Sequence, residues 1–247
     1  MASQHPLPSP PPFADLLSQE RAAVFLDFDG TLVELAPEPD AIEVPGHLNL
    51  RLHELKARLE GRLALVSGRA IDDLTRHLGS CEIAMAGSHG LHTVRADGEL
   101  AGRSPEALPG DAVEALRVFA QANELRYETK SHGGALHYRS DPSRKDQVDA
   151  FAAKVARQFS LEVKHGKCVA ELVFPGTSKA SAVQTFMSQP PFVGAVPIFL
   201  GDDVTDEDGM RAAIECGGFG IAVGERDSDS ARYHLSGVAA VHEWLEL

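Results

Sequence analysis

The chain has 247 residues, 43% hydrophobic and 24% charged, which suits a globular protein large enough to bury a core, either as one domain or as a core with a smaller one inserted. Its 36 acidic residues outweigh 23 basic ones and give a formal net charge of −13, which argues against nucleic acid or an anionic membrane surface as partner. No apolar run approaches the ~18 residues of a membrane helix, and Cys81, Cys168 and Cys216 are odd in number, far apart and without zinc spacing, so a disulfide framework is excluded.

Residues 1–20 hold Pro6, Pro8, Pro10, Pro11 and Pro12 and are expected to be a disordered lead-in. They lack the charged and apolar regions of a signal peptide, so a cytoplasmic location is expected. From Ala22 to Phe28 an apolar run predicts a short strand buried on both faces, as in a parallel sheet covered by helices. The run ends in Asp27-Phe28-Asp29-Gly30-Thr31-Leu32. Alternate strand residues share a face, so Asp27 and Asp29 point the same way if the strand continues, and Gly30 permits a sharp turn. Two carboxylates then stand at the carboxyl end of a parallel strand, where open α/β sheets bind ligands. Such a pair repels unless a cation sits between its members, and hard oxygen ligands favour Mg²⁺. One carboxylate can act as nucleophile and the other as acid/base. A strand end followed by an Asp-Gly turn is the structural alternative. At roughly 6% usage per residue type the full string arises by chance in such a chain with a frequency below about 10⁻³, so the functional reading is preferred.

Three prolines, Pro37, Pro39 and Pro45, make 34–45 a loop. Leu48, Leu52, Leu55 and Leu59 mark an amphipathic helix. Leu63 to Val66 reads as a second buried strand ending in Ser67-Gly68-Arg69, and a helix follows from Ile71 to Leu78. Ser67 occupies the position that the Asp pair occupies one βα unit earlier. It is either a helix cap or, with the free N–H groups of the next helix, a phosphate ligand. Ile83 to His92 reads as a strand into Gly87-Ser88-His89-Gly90, then a hairpin leaving the sheet. His89 has no partner at metal-ligand spacing, so a loop role on the substrate side is expected.

Between 108 and 174 the pattern is helix, two strands, helix, two strands, an α+β module that interrupts the parallel core and is expected to be an inserted cap. Residues 21–107 and 175–247 then form the core. The cap carries Lys130, His137, Arg139, Lys164, Lys167 and Glu171, either a solvated sheet face or a set of partners for sugar hydroxyls and phosphate. Pro175-Gly176-Thr177-Ser178 leads to a helix that Ser178 can cap. Lys179 is unfavourable at that helix start, which points to a functional charge facing an anion. After a strand from Ala195 to Leu200 comes Gly201-Asp202-Asp203-Val204-Thr205-Asp206-Glu207-Asp208. These acids either favour a helix N-terminus or complete the metal site of Asp27 and Asp29, and the second is preferred. Phe219 to Val223 is the last predicted strand, and 241–247 a closing helix.

Leu26 to Leu32 resembles the first motif of the haloacid dehalogenase (HAD) superfamily of aspartate-nucleophile phosphatases, and Ser67, Lys179 and Gly201-Asp202-Asp203 follow in that superfamily's order. Within it the chain looks most like the trehalose-6-phosphate phosphatases, on Gly87-Ser88-His89-Gly90, Gly166-Lys167 to Glu171, Pro175 to Lys179 and Gly201 to Glu207. Ala180 and Phe174 depart from that family's usual pattern. The resemblance implies a Rossmann-like α/β core with an inserted C2-type α+β cap, and Mg²⁺-dependent hydrolysis of trehalose 6-phosphate through an aspartyl-phosphate. It gives Asp27 as nucleophile, Asp29 as acid/base, and Ser67 and Lys179 as phosphate ligands. It implies metal contacts from Asp27, the Asp29 carbonyl and Asp202, with Asp203 and Asp206 in or near the layer behind them. Thr31, Arg69, His89, Lys130, His137, Arg139, Lys167 and Glu171 are the expected substrate contacts. A monomer is expected. Another sugar-phosphate phosphatase of the superfamily, or a catalytically silent sugar-phosphate sensor, is the alternative.

Overall fold

A computed structural model describes residues 7–36, 41–102, 106–130, 133–166 and 168–247 of the protein. The chain forms two compact units, Met1–Arg103 with Ser178–Leu247, and Ser104–Thr177.

The first unit opens with helix α1 (Phe13–Gln19), strand β1 (Ala22–Leu26), helix α2 (Leu48–Arg58), β2 (Leu63–Val66), α3 (Ile71–Leu78), β3 (Ala84–Gly87) and β4 (His92–Val94). Every residue of β1 and β2 is buried, the signature of strands covered on both faces. Residues 13–19 correct the expectation of a disordered lead-in. The prolines keep 8–12 out of a helix, but their carbonyls still accept hydrogen bonds, and Phe13 supplies an apolar anchor. The Phe13 ring lies 4.9 Å from that of Trp244, and Trp244 Nε1 donates to the Pro11 carbonyl at 2.8 Å. A second correction concerns the hairpin. Strand β4 does not leave the sheet but pairs antiparallel with β3, through Met85↔Val94 and Gly87↔His92.

The second unit contains α4 (Gly110–Ala122), β5 (Arg126–Lys130), β6 (Gly133–His137), α5 (Lys145–Phe159), β7 (Glu162–Gly166) and β8 (Val169–Val173). Its strands form an antiparallel sheet in the order β5-β6-β8-β7. Leu116, Val148 and Ala152 of the helices pack on Leu136, Ala170 and Leu172 of the strands. The register places Glu128, Ala135, Lys164 and Glu171 together on the opposite face.

Back in the first unit come α6 (Lys179–Met187), β9 (Val196–Gly201), α7 (Asp206–Glu215), β10 (Phe219–Val223), β11 (Ala231–Leu235) and α8 (Val238–Leu245). The seven-stranded sheet runs β11-β10-β9-β1-β2-β3-β4 and is parallel except for β4. Alternation along β1 divides the core in two. Val24 and Leu26 join the leucines of α2 and Val241 and Leu245 of α8, whereas Ala23 and Phe25 join Phe186 of α6 and Met210 of α7. Strand β11 was not expected: as an edge strand it is only partly buried and lacks a continuous apolar run. Its His234 N–H donates to the Pro8 carbonyl at 3.0 Å, so the N-terminal segment occupies hydrogen-bonding positions on that open edge.

Candidate active site

The sheet order reverses direction at β1. The chain moves from β1 to β2 on one side and returns to β9 on the other, and the crevice outside such a switch point is where open α/β sheets bind ligands. Asp27 follows β1, with its N–H donating to the Leu200 carbonyl of β9 at 3.0 Å. Asp202 follows β9, and Ser67 follows β2 with its N–H on the Ala86 carbonyl at 2.8 Å.

Close approach of the carboxylates depends on two glycines. Gly30 has φ +77°, and a Cβ there would stand 2.2 Å from Asp202 Oδ2. A Cβ on Gly201 would stand 2.2 Å from Asp206 Cγ. Asp27, Asp202 and Asp206 each offer an oxygen within 4.8 Å of the others. Lys179 is buried, and its Nζ donates to Asp27 Oδ1 and to Asp206 Oδ1, both at 2.6 Å. Ser178 and Ser181 form a capping box that satisfies the start of α6 and fixes where the lysine leaves it. Burial, then the Asp206 and Asp202 carboxylates, push the Asp27 carboxyl well above its usual range against the pull of Lys179. Burial with Asp206 and Asp203 pushes Asp202 up to about 6, and burial also raises Asp206. Burial works against the Lys179 charge, but Asp206 and Asp27 more than offset it and raise the lysine above its ordinary value.

The Asp29 side chain does not join this group, although two carboxylates one residue apart were expected to share a face. The chain turns before alternation can continue. The Gly30 N–H donates to the Val33 carbonyl at 2.7 Å, and the Leu32 and Val33 N–H groups return to the Phe28 carbonyl. Asp29 instead accepts a two-point contact from Arg69, Nε to Oδ2 and Nη2 to Oδ1, both 2.7 Å. Arg69 Nη1 also donates to Asp73 Oδ2 at 2.7 Å, so this expected substrate contact is tied to two carboxylates. Ser67 is buried, and its Oγ accepts the Arg69 N–H at 3.1 Å. Thr31 is fully buried, and its Oγ1 finds no hydrogen-bond partner among the described residues.

Ser88 and His89 take left-handed backbone conformations, φ 50° and 57°, unusual for residues with a side chain. The loop locks onto two parts of the site. The Ser88 N–H donates to the Arg69 carbonyl at 2.7 Å and the His89 N–H to the Ser67 carbonyl at 3.0 Å. The His89 ring covers Gly68, where a Cβ would meet it at 2.6 Å, and a Cβ on Gly90 would meet the Ser178 carbonyl oxygen at 2.2 Å.

The acids from Asp202 to Asp208 separate by direction. Asp202 and Asp206 face Asp27. Asp206 Oδ2 also accepts the Asp203 N–H at 2.9 Å, and Asp203 Oδ1 accepts the Val204 N–H at 2.6 Å. Asp208 pairs with Arg211. Glu207 turns to Arg226 Nη2 at 2.6 Å and the Ser230 N–H at 3.0 Å. Burial opposes its charge, but the contacts from Arg226, Ser230 and Ser228 win and lower its pKa. Arg226 sits in the loop after β10, with no motif around it by which pattern alone would single it out.

In the second unit His137 Nε2 lies 2.7 Å from Glu128 Oε2, and Glu171 is buried on the same sheet face. Arg139 falls in the exposed turn after β6. The Lys130 side chain and Lys167 lie outside the described residues.

The set Asp27, Asp202 and Asp206 fits a divalent cation. Its donors are all hard oxygens, three carboxylates face a single ammonium, and the Thr31 hydroxyl beside the turn is unsatisfied.

Residues 25–236 match the family model described as trehalose-phosphatase. A trehalose-6-phosphate phosphatase of Escherichia coli (strain K12) is 36% identical over 228 residues, 91% of this chain and 85% of that protein. The solved C-terminal domain of a Candida albicans trehalose-6-phosphate phosphatase superposes with a TM-score of 0.78 at 22% identity, covering 98% of both chains. A phosphatase of the HAD superfamily from Bacteroides thetaiotaomicron gives 0.64 at 17% identity, covering 92% of this chain and 93% of that one, a likeness of fold. The chain, with an α/β core similar in fold to that HAD phosphatase and a separate antiparallel α+β unit, belongs to the trehalose-phosphatase family.

Proposed function

We propose that the protein hydrolyses trehalose 6-phosphate to trehalose and phosphate, with Asp27 as nucleophile. The carrying observation is the buried Lys179, which holds Asp27 and Asp206 from one ammonium with Asp202 alongside, at the carboxyl ends of β1 and β9. Asp27 Oδ1 is engaged by Lys179, which leaves the carboxylate oriented. In the reaction Asp27 attacks phosphorus in line, and the bond to the sugar oxygen breaks. Asp29, held by Arg69 as a carboxylate in the resting site, takes up a proton on one oxygen as Arg69 releases that oxygen, and gives the proton to the leaving sugar oxygen. It then takes a proton from the water that attacks phosphorus and breaks the bond to Asp27. Ser67 and Lys179 bind the equatorial phosphoryl oxygens, where transition-state charge resides.

Mg²⁺ is the cation proposed: Asp27, Asp202 and the Asp29 carbonyl would hold it, Asp206 would support them, and it would neutralise charge on the phosphoryl oxygens. Asp203 supports the turn, through its backbone N–H on Asp206 and its Oδ1 on the Val204 N–H, behind the metal ligands. The face carrying Glu128, His137, Lys164 and Glu171 selects the sugar, since it pairs hydroxyl acceptors with cationic groups. Lys130, Arg139 and Lys167 extend that role, and Thr31 and His89 serve the phosphate side. A monomeric state and a cytoplasmic location complete the reading. Three unpaired cysteines suit a reducing compartment, and no helix among the described residues is long and apolar enough to cross a membrane.

Phosphate release from trehalose 6-phosphate, beside glucose 6-phosphate, sucrose 6-phosphate and mannose phosphates, tests this. Preference for trehalose 6-phosphate that EDTA removes supports it. A preference for another sugar phosphate would keep the chemistry and overturn the sugar assignment. No release from any of them, by folded protein that binds Mg²⁺, would favour a sensor.

A further inference from the structure

We propose that Arg226 is a positioning residue for the metal ligand Asp202, and that Glu207 orients Arg226 for the task. The inference rests on the metal reading above. Asp202 and Asp203 lie in the tight turn between β9 and α7, so the direction of the Asp202 carboxylate depends on how that turn is held. Arg226 Nε donates to the Asp202 carbonyl and Nη2 to the Asp203 carbonyl, both at 3.1 Å. The guanidinium is itself fixed from two sides, by Glu207 Oε1 at 2.6 Å on Nη2 and by the Asp227 carbonyl at 2.7 Å on Nη1. The other Glu207 oxygen takes the Ser230 N–H at 3.0 Å, which ties the carboxylate to the loop after β10.

The opposite side of the turn is equally occupied. The Asp203 N–H bonds Asp206 Oδ2 and the Val204 N–H bonds Asp203 Oδ1. Two adjacent carbonyls and two adjacent N–H groups are therefore each assigned a partner; Arg226 reaches both carbonyls, and the Asp206 N–H joins it on that of Asp203 at 3.0 Å. A planar fork with several donors can span two successive carbonyls, whereas a single ammonium on a flexible stem cannot hold both in fixed directions. Groups behind metal ligands act by orienting them, and their loss typically weakens metal affinity by about 10–100-fold. Glu207 is thus separated in role from Asp202 and Asp206, although all three belong to one acidic run.

The test is Mn²⁺ affinity of the full chain, followed by the electron paramagnetic resonance signal of free Mn²⁺, with unfolding by denaturant in EDTA measured alongside. Arg226→Met is expected to weaken Mn²⁺ binding by about 10-fold or more in protein that is still folded, and Arg226→Lys to recover only part of it. Glu207→Gln keeps the guanidinium but loosens it; it is expected to weaken binding less than Arg226→Met does, and it carries the test if Arg226→Met does not fold. Wild-type affinity in folded Arg226→Met, or in Glu207→Gln where that variant carries the test, would overturn the proposal, whatever happens to stability in EDTA. Wild-type protein that binds no Mn²⁺, or whose binding Asp202→Asn leaves intact, would instead overturn the metal reading beneath it.

Discussion

Lys179 Nζ stands 2.6 Å from Asp27 Oδ1 in a buried contact that joins residues 152 positions apart. The same ammonium bonds Asp206, so one positive charge faces two bonded carboxylates with a third, Asp202, close by. The two partners should respond oppositely to removal. Lys179→Met leaves buried carboxylates unpaired and is expected to cost about 3–5 kcal/mol of stability in EDTA, with loss of turnover. Asp27→Asn lowers the negative charge while Lys179 keeps Asp206. It is expected to abolish turnover without lowering the melting temperature in EDTA. Calorimetry of both variants checks the pair.

Gly30→Ala places a methyl group 2.2 Å from Asp202 Oδ2, at a backbone angle that disfavours a side chain. The carboxylate must move, so Mg²⁺ should raise the melting temperature of this variant less than that of the wild type. Wild-type stabilisation at saturating Mg²⁺ is expected to be about 2.7 kcal/mol at 100 times the dissociation constant. Titration with Mg²⁺ in a thermal-shift series measures the difference.

Arg69 holds both oxygens of Asp29, the proposed acid and base. A sugar alkoxide needs a proton to leave, whereas p-nitrophenolate does not. Arg69→Met is therefore expected to lose more kcat on the sugar phosphate than on p-nitrophenyl phosphate. A difference of about 10-fold or more between the two losses fits typical acid–base contributions. Equal losses would make Arg69 a general structural support.

Glu171 is buried on the sheet face that carries the Glu128–His137 pair. If that face reads the sugar, Glu171→Gln should raise KM or lower kcat for trehalose 6-phosphate and leave p-nitrophenyl phosphate nearly unchanged. Matching effects on both substrates would remove the sugar contact.

Much of this site is legible because its residues sit where the apolar pattern changes. Asp27, Ser67 and Asp202 each follow a buried run, and Lys179 follows a capping serine, so topology alone places them at one sheet end. What escaped depends on geometry finer than pattern. The turn at Gly30 sends Asp29 to Arg69, a consequence of hydrogen bonds from residues 30–33 that strand alternation does not contain. Asp206 enters the cluster itself because Gly201 lets it approach. Arg226 bonds carbonyls, which leave no trace in the sequence. Prolines obscured α1, and partial burial obscured β11.

If Asp27 is the nucleophile, it becomes covalently phosphorylated during turnover. Trehalose 6-phosphate mixed with excess enzyme, quenched in acid within the first turnover and analysed by peptide mass spectrometry, tests it most directly. One phosphoryl group is expected on the peptide containing Asp27, and none on that peptide in Asp27→Asn. Rapid phosphate release with no phosphorylated peptide, or the group on another residue, would contradict it.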